Sequence, residues 1–389
     1  MKLLKTGPIR FVDKKIIIWK NLIAADRVKE MLSPAFTGDS LGHAYLFCGD
    51  DGVGKFAAAL DLALALLCTS KGDVPCLQCN ACLKVLRNNH PDFHVIIPVS
   101  LEKEHKSSDG SLSKAGWEYV SSTIGEKIES PYMPLSYSGV PTIPVEWIKE
   151  VTHAIQRGAV AGARNVTIIS GIDVMNKESA NAMLKTLEEP PPNTFVFLTT
   201  NRPEAVLPTI ASRCQIMRFG HVPASDIKTA LTQALKTDVT EANMRRAVHY
   251  ASGSLGRALM LASTDLDESI AQVKQLWDKC IRGNVGEMAT IVDGLAKRND
   301  YEANKSFFAS MMYLIRNSFL QKNGCSENYI DASDILDDPK GLFQDTNNSE
   351  KLSAACASAL SGVVAYGNVA IILVNFVMTI MEICNGEQQ

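Results

Sequence analysis

From Trp19 to about Phe219 the chain alternates short apolar runs with stretches of helical period. The runs are Ala44 to Cys48, Phe93 to Ile97, Val166 to Ile169 and Phe195 to Thr199, and the helical patterns between them include Phe56 to Cys68 and Glu178 to Leu187. Continuous four- to five-residue apolar runs with no polar alternation predict strands covered on both faces, hence a parallel sheet between helical layers. From Ser100 to Pro144 the pattern breaks into polar, Ser-, Gly- and Pro-rich sequence, which reads as an insertion or long loop.

Beyond Phe219 no strand pattern recurs. Helices are predicted over Ala224 to Leu235, Glu241 to Ala251, Leu255 to Ser263, Glu268 to Ile281 and Tyr301 to Gln321, and a polar acidic stretch from Asn323 to Lys351 leads into the last helices. The expected order is an α/β module (1–219), a small helical lid (220–265) and an all-helical domain (266–389). Ala357 to Met381 carries no charge and is long enough to span a membrane, but Asn368 and Asn375 share one helical face within it. Two buried helices in an oligomer contact are the preferred reading.

At 389 residues and 46% hydrophobic, the chain has enough apolar sequence for two or three cored domains. Its net charge of −3 excludes a global basic field, so any nucleic-acid contact is expected to be local or shared with partners. The first nineteen residues lack the apolar run of a secretory leader. Ten cysteines without such a leader point to a reducing cytoplasm.

Gly49-Asp50-Asp51-Gly52-Val53-Gly54-Lys55 follows the first strand and precedes a helix, the setting of a phosphate loop. There Gly49, Gly52 and Gly54 let backbone N–H groups turn towards phosphate, and Lys55 reaches the terminal phosphates. The next residue should carry a hydroxyl for Mg²⁺, but it is Phe56, whose ring cannot bind a hard cation. A glycine-rich turn with no ligand, filled by Phe56, is the competing reading, and ATP or ADP occupancy stays open.

The strand Val166 to Ile169 should end in an acidic pair for the metal and for water activation. It ends in Ser170-Gly171, and Asp173 is the nearest carboxylate, either a displaced metal ligand or a capping or surface residue. Two separate losses thus remove the metal ligands, and hydrolysis is expected to be poor.

Cys68, Cys76, Cys79 and Cys82 supply four thiols at short spacing, suited to a tetrahedral structural zinc with no open position. Unmetallated core and surface thiols are the alternative.

Asn181-Ala182-Met183-Leu184-Lys185-Thr186-Leu187-Glu188-Glu189-Pro190-Pro191 and Ser212-Arg213-Cys214 closely resemble signature blocks of bacterial clamp-loader subunits. With His43 to Phe47, His90-Pro91-Asp92 and Gly253 to Leu259 they stand in family order across residues 19 to 260. The chain is thereby similar to the clamp-loader AAA+ subunits of DNA polymerase III. The resemblance implies a P-loop AAA+ module, lid and helical collar, with the cysteines holding structural zinc. It makes Arg213 an arginine finger acting on a neighbour's ATP, Thr200 and Asn201 sensor-like, and Arg257 the lid's sensor arginine. Implied partners are the motor (gamma/tau) and delta subunits of a hetero-pentamer and, through it, the sliding clamp and primed DNA. Phe56 and Ser170-Gly171 depart from the motor pattern, which favours a non-hydrolysing subunit over a gamma/tau-like ATPase. A zinc protein binding nucleic acid alone would need a clustered basic face beyond Arg157 and Arg164.

Overall fold

The computed structural model describes residues 15–105, 107, 112–135, 137, 140–162, 164–234, 241–263, 266–297, 301–324, 334–364 and 367–385. They fall into two compact units, one within 1–135, 141–236 and 251–257, the other within 136–140, 237–250 and 258–389.

The first unit is built on five parallel strands: β1 (Ala44–Cys48), β2 (Phe93–Ile96), β3 (Asn165–Ile169), β4 (Thr194–Thr200) and β5 (Gln215–Arg218), in the order β2-β3-β4-β1-β5. All five residues of β1 and of β3 are buried, which is why their sequences run apolar on both faces. The fifth strand escapes the sequence pattern because it is an edge strand. Only Met217 of its four residues is buried, so it carries no apolar run.

Around the sheet lie α1 (Asp26–Thr37), α2 (Lys55–Leu67), α3 (Asn80–Leu86), α4 (Lys114–Glu129), α5 (Val145–Gln156), α6 (Lys177–Glu188), α7 (Pro208–Ala211) and α8 (Ala224–Ala234). Every residue of α2 is buried, including Lys55 and Asp61. Its alanines, Ala57, Ala58, Ala59, Ala63 and Ala65, let it sit close against the sheet. Asp61 accepts from the Asn21 and Leu22 N–H groups at 2.9 Å each and from Asn21 Nδ2 at 2.7 Å, which pins residues 21–22 to this helix.

The polar stretch 100–144 is more ordered than a loop. It contains the 16-residue α4, capped by Ser113 Oγ accepting from Gly116 N, with Val120, Ile124 and Ile128 buried. Its Ser, Gly and Lys content hides a narrow apolar stripe at helical spacing.

α10 (Leu255–Ser263) runs from the first unit into the second. The second unit also contains α9 (Glu241–Tyr250), α11 (Leu266–Arg282), α12 (Val285–Lys297), α13 (Tyr301–Lys322), α14 (Thr346–Val364) and α15 (Val369–Asn385). Its core stacks Trp277 on Phe343 at 5.5 Å and sets Phe308 edge-on to Phe376 at 5.3 Å. The uncharged run Ala357 to Met381 divides between α14 and α15. Leu373, Phe376, Val377 and Ile380 are buried, while Asn368 and Asn375 share an exposed face with Ile371, Val374 and Met378. No helix among the described residues is long and apolar enough to cross a membrane.

Candidate functional site

The glycine-rich loop joins the carboxyl end of β1 to α2, where an open parallel sheet places ligands. Gly52 and Gly54 have φ of 71° and 104°, a backbone that a side chain would strain, and Gly54 caps α2. The backbone of a phosphate loop is therefore present. Lys55 turns inward: its ammonium donates to Gly49 O at 2.7 Å and Asp50 O at 2.5 Å, so the loop's own carbonyls satisfy it. Burial pulls its pKa down to about 8, against the opposing pull of Asp51, Asp50 and Asp173.

A second segment lies directly on this loop. Ser254 Oγ donates to Asp51 O at 2.7 Å and accepts from Arg257 N at 3.1 Å, capping α10, and Gly256 N donates to Gly52 O at 3.0 Å. Arg257 thus directly follows a segment, residues 254–256, that is hydrogen-bonded to the phosphate loop. His221 Nε2 meets Asp50 Oδ2 at 2.8 Å on the loop's outer side.

Phe56 is 4% exposed, its ring 5.3 Å from the Lys127 ammonium. At the end of β3, Ser170 Oγ lies 3.1 Å from Thr199 Oγ1, which also accepts from Gly171 N at 3.3 Å. Where an acidic pair would face a metal, two hydroxyls and an amide bind one another. Asp173 is neither a cap nor a surface residue. Its side chain is 7% exposed, accepting from Thr200 Oγ1 at 2.8 Å and pairing with Arg202 Nε at 3.1 Å. Arg202 is the partner that the sequence patterns do not single out, since nothing in its spacing points to Asp173. Thr200, expected at a sensor position, is fully buried on that carboxylate, and Asn201 beside it is exposed.

Arg213 sits on the turn between α7 and β5. Its guanidinium donates to Thr209 O at 2.8 Å and to Ser212 Oγ at 3.3 Å, and pairs with Glu188 at 2.6 Å. The β1–β5 register aligns Tyr45 with Gln215 and Cys48 with Arg218. Arg213 therefore lies beyond the amino end of the strands, while the glycine-rich loop leaves their carboxyl end. The four residues of β5 lie between the two levels, on the order of 13 Å of strand.

The four cysteines converge where α2 ends and α3 begins. Their sulfurs lie within 4.8 Å of one another, Cys68 being 3.6 Å from Cys76 and 3.9 Å from Cys79. A tetrahedral zinc with bonds of about 2.3 Å sets its sulfurs about 3.8 Å apart, so this donor set fits the ion. Two turns of backbone orient the sulfurs: Cys79 N donates to Cys76 Sγ at 3.3 Å and Cys82 N to Cys79 Sγ at 3.5 Å. Burial raises the Cys79 thiol, but donation from Cys82 and Thr69 outweighs it and brings the pKa down to about 5. Burial pushes Cys82 upward. The 13 residues of α2 put about 20 Å between this cluster and the phosphate loop.

The family described as "DNA polymerase III, delta subunit" matches residues 24–223, more than half of the chain. The Bacillus subtilis DNA polymerase III subunit delta' is 30% identical over 264 residues, 67% of each protein. The Haemophilus influenzae subunit delta' is 27% identical over 244 residues, 61% of each. The Bacillus subtilis subunit tau is 25% identical over 257 residues, 65% of this chain and 38% of tau. The chain thus spans about two thirds or less of the length of these relatives. A gamma subunit-related protein of Thermotoga maritima superposes with a TM-score of 0.45 and 13% identity, over 94% of this chain and all of that one.

Proposed function

The chain belongs to the DNA polymerase III delta-prime family, and on that premise we propose that it is a non-hydrolysing clamp-loader subunit whose Arg213 completes the ATP site of a neighbour. One observation carries this reading: Arg213 and the glycine-rich loop leave opposite ends of the sheet, so the arginine cannot reach its own loop. In the reading proposed, the guanidinium serves a site on another chain, where it stabilises charge developing on the terminal phosphate.

The loss of metal ligands supports a passive role at the chain's own site. Gly49, Gly52, Gly54, Lys55 and Arg257 remain as the degenerate nucleotide site, with Phe56 and Ser170-Gly171 standing where hydroxyl and carboxylate ligands belong. Cys68, Cys76, Cys79 and Cys82 hold a structural zinc, which supplies no chemistry beyond crosslinking the end of α2 to α3. Residues 1–219 serve as the AAA+ module, 220–265 as lid and 266–389 as the collar of a hetero-pentamer with gamma/tau and delta subunits. That assembly opens the sliding clamp for loading on primed DNA.

The test is steady-state ATP turnover by the purified chain with magnesium and primed DNA, against a Lys55→Ala control, then by the reconstituted loader with and without Arg213→Ala. Turnover by the isolated chain that Lys55→Ala removes would move it to the motor class.

A further inference from the structure

The segment that follows α4 runs back across the glycine-rich loop. Tyr132 is 5% exposed, and its hydroxyl accepts from Ile23 N at 2.7 Å and lies 3.5 Å from Ile23 O. A Cβ added at Gly54 would lie 2.9 Å from the Tyr132 hydroxyl, 3.0 Å from its ring and 3.0 Å from Leu22 Cδ1. A Cβ added at Gly256 would run into the Tyr132 carbonyl. One residue of the insertion thus fills the space bounded by residues 22–23, the phosphate loop and the start of α10.

Two further contacts hold it there. Lys127, on α4, donates to Met133 O at 2.6 Å and lies over the Phe56 ring at 5.3 Å. The insertion is therefore anchored to the residue that replaces the magnesium ligand. Burial raises the Tyr132 phenol well above its ordinary value, so it stays a neutral hydroxyl, able to accept from one group and donate to another.

A hydroxyl that meets the N–H and C=O of one residue presents the same pairing as a purine edge, whose ring nitrogen accepts and whose exocyclic amine donates. A nucleotide with its phosphates on Gly52 to Lys55 and its base on Ile23 would need the volume Tyr132 holds. We propose that Tyr132 is a tethered occupant of the nucleotide cleft, standing in for the base of a purine nucleotide, so that the 100–144 insertion itself keeps ADP or ATP out. This rests on reading residues 49–55 as a nucleotide loop and goes beyond the loss of hydrolysis, because Phe56 and Ser170 remove metal ligands without filling the base position.

The experiment is equilibrium binding of methylanthraniloyl-ADP to the full chain, without and with magnesium. The expected result is that Tyr132→Ala binds at least about tenfold more tightly than the unaltered chain, independently of magnesium, and that adding Lys55→Ala reverses the gain. A folded Tyr132→Ala chain that binds no better, or an unaltered chain that already binds as well, overturns the proposal. Should Tyr132→Ala fail to fold, Tyr132→Leu, which removes both the ring and the hydroxyl from the cleft but keeps an apolar side chain, carries the test. Without the tie to Ile23, ADP should slow hydrogen exchange at the Ile23 and Lys55 amides, and exchange indifferent to ADP overturns it. ATP turnover by the Tyr132 variants separates the two ideas: binding without turnover leaves the non-hydrolysing reading intact, and turnover sinks that reading alone.

Discussion

The Arg213 guanidinium and the Glu188 carboxylate meet at 2.6 Å, joining the turn before β5 to the last residue of α6. The two come from separate signature blocks, Ser212-Arg213-Cys214 and Leu187-Glu188-Glu189-Pro190, so the pair shows what aligns one block with the other. With both side chains partly exposed, at 33% and 46%, the pair adds at most about 1 kcal/mol to stability. Its effect is to fix where the guanidinium points.

Arg213→Ala should therefore leave the unfolding midpoint nearly unchanged while turnover at the neighbouring ATP site falls by about 10³-fold. Glu188→Gln should cost much less, since the Thr209 carbonyl still holds the guanidinium. Single-site turnover in the reconstituted loader, with melting curves of the isolated chain, checks both.

The purified chain should carry one zinc per molecule. Cys76→Ser and Cys79→Ser should each lose it and lower the thermal midpoint by several degrees, without altering Arg213-dependent stimulation in loaders that still assemble. Elemental analysis and chelator-induced melting report the loss, and unchanged metal content in both variants would contradict a four-cysteine site.

Lys55 predicts a pH dependence of stability above neutrality. Folded, its pKa is lowered from 10.5 to about 8, so between those values the unfolded chain binds the extra proton. Stability attributable to this residue is lowest below pH 8 and rises with pH across the window, by ~3 kcal/mol at most. The two carbonyl acceptors favour the ammonium and make this an upper bound. Urea midpoints of the chain and of Lys55→Met, compared from pH 7 to 10, should diverge only over that window.

Asp173→Ala would leave Thr200 Oγ1 and Arg202 Nε without their shared acceptor in a buried setting and should cost ~1–3 kcal/mol. Asp173→Asn, which still accepts from Thr200, should cost less. A displaced metal ligand predicts instead that magnesium stabilises the chain and that either substitution removes the effect. Denaturant melts with and without magnesium decide.

The central strands and α2 were legible because full burial leaves an unbroken apolar run, as in Ala44 to Cys48 and Val166 to Ile169. The edge strand Gln215–Arg218 was not, because three of its four residues face solvent and look like loop. The cysteine cluster was legible from spacing alone. By contrast, the helix inside 100–144 is masked by a surface rich in Ser, Gly and Lys, and the Tyr132 contact with Ile23 spans 109 residues, a distance at which local pattern carries no information. The buried pairing of Asp173 escapes the sequence pattern for a related reason, since its partner Arg202 follows a different strand.

Gly52 and Gly54 show why a motif match can outlast its use. A side chain at either position would strain a left-handed backbone, and at Gly52 it would also collide with the Ser254 hydroxyl, at Gly54 with Tyr132. Lys55, for its part, ties down the carbonyls of Gly49 and Asp50. At Gly49 a Cβ would lie 2.7 Å from the Phe219 carbonyl, so both glycines of the G-x-x-x-x-G-K spacing are demanded by interior packing whether or not a phosphate ever enters. Selection for folding alone would preserve it, so in a chain of this kind that spacing records a scaffold's ancestry and gives no measure of present ligand affinity.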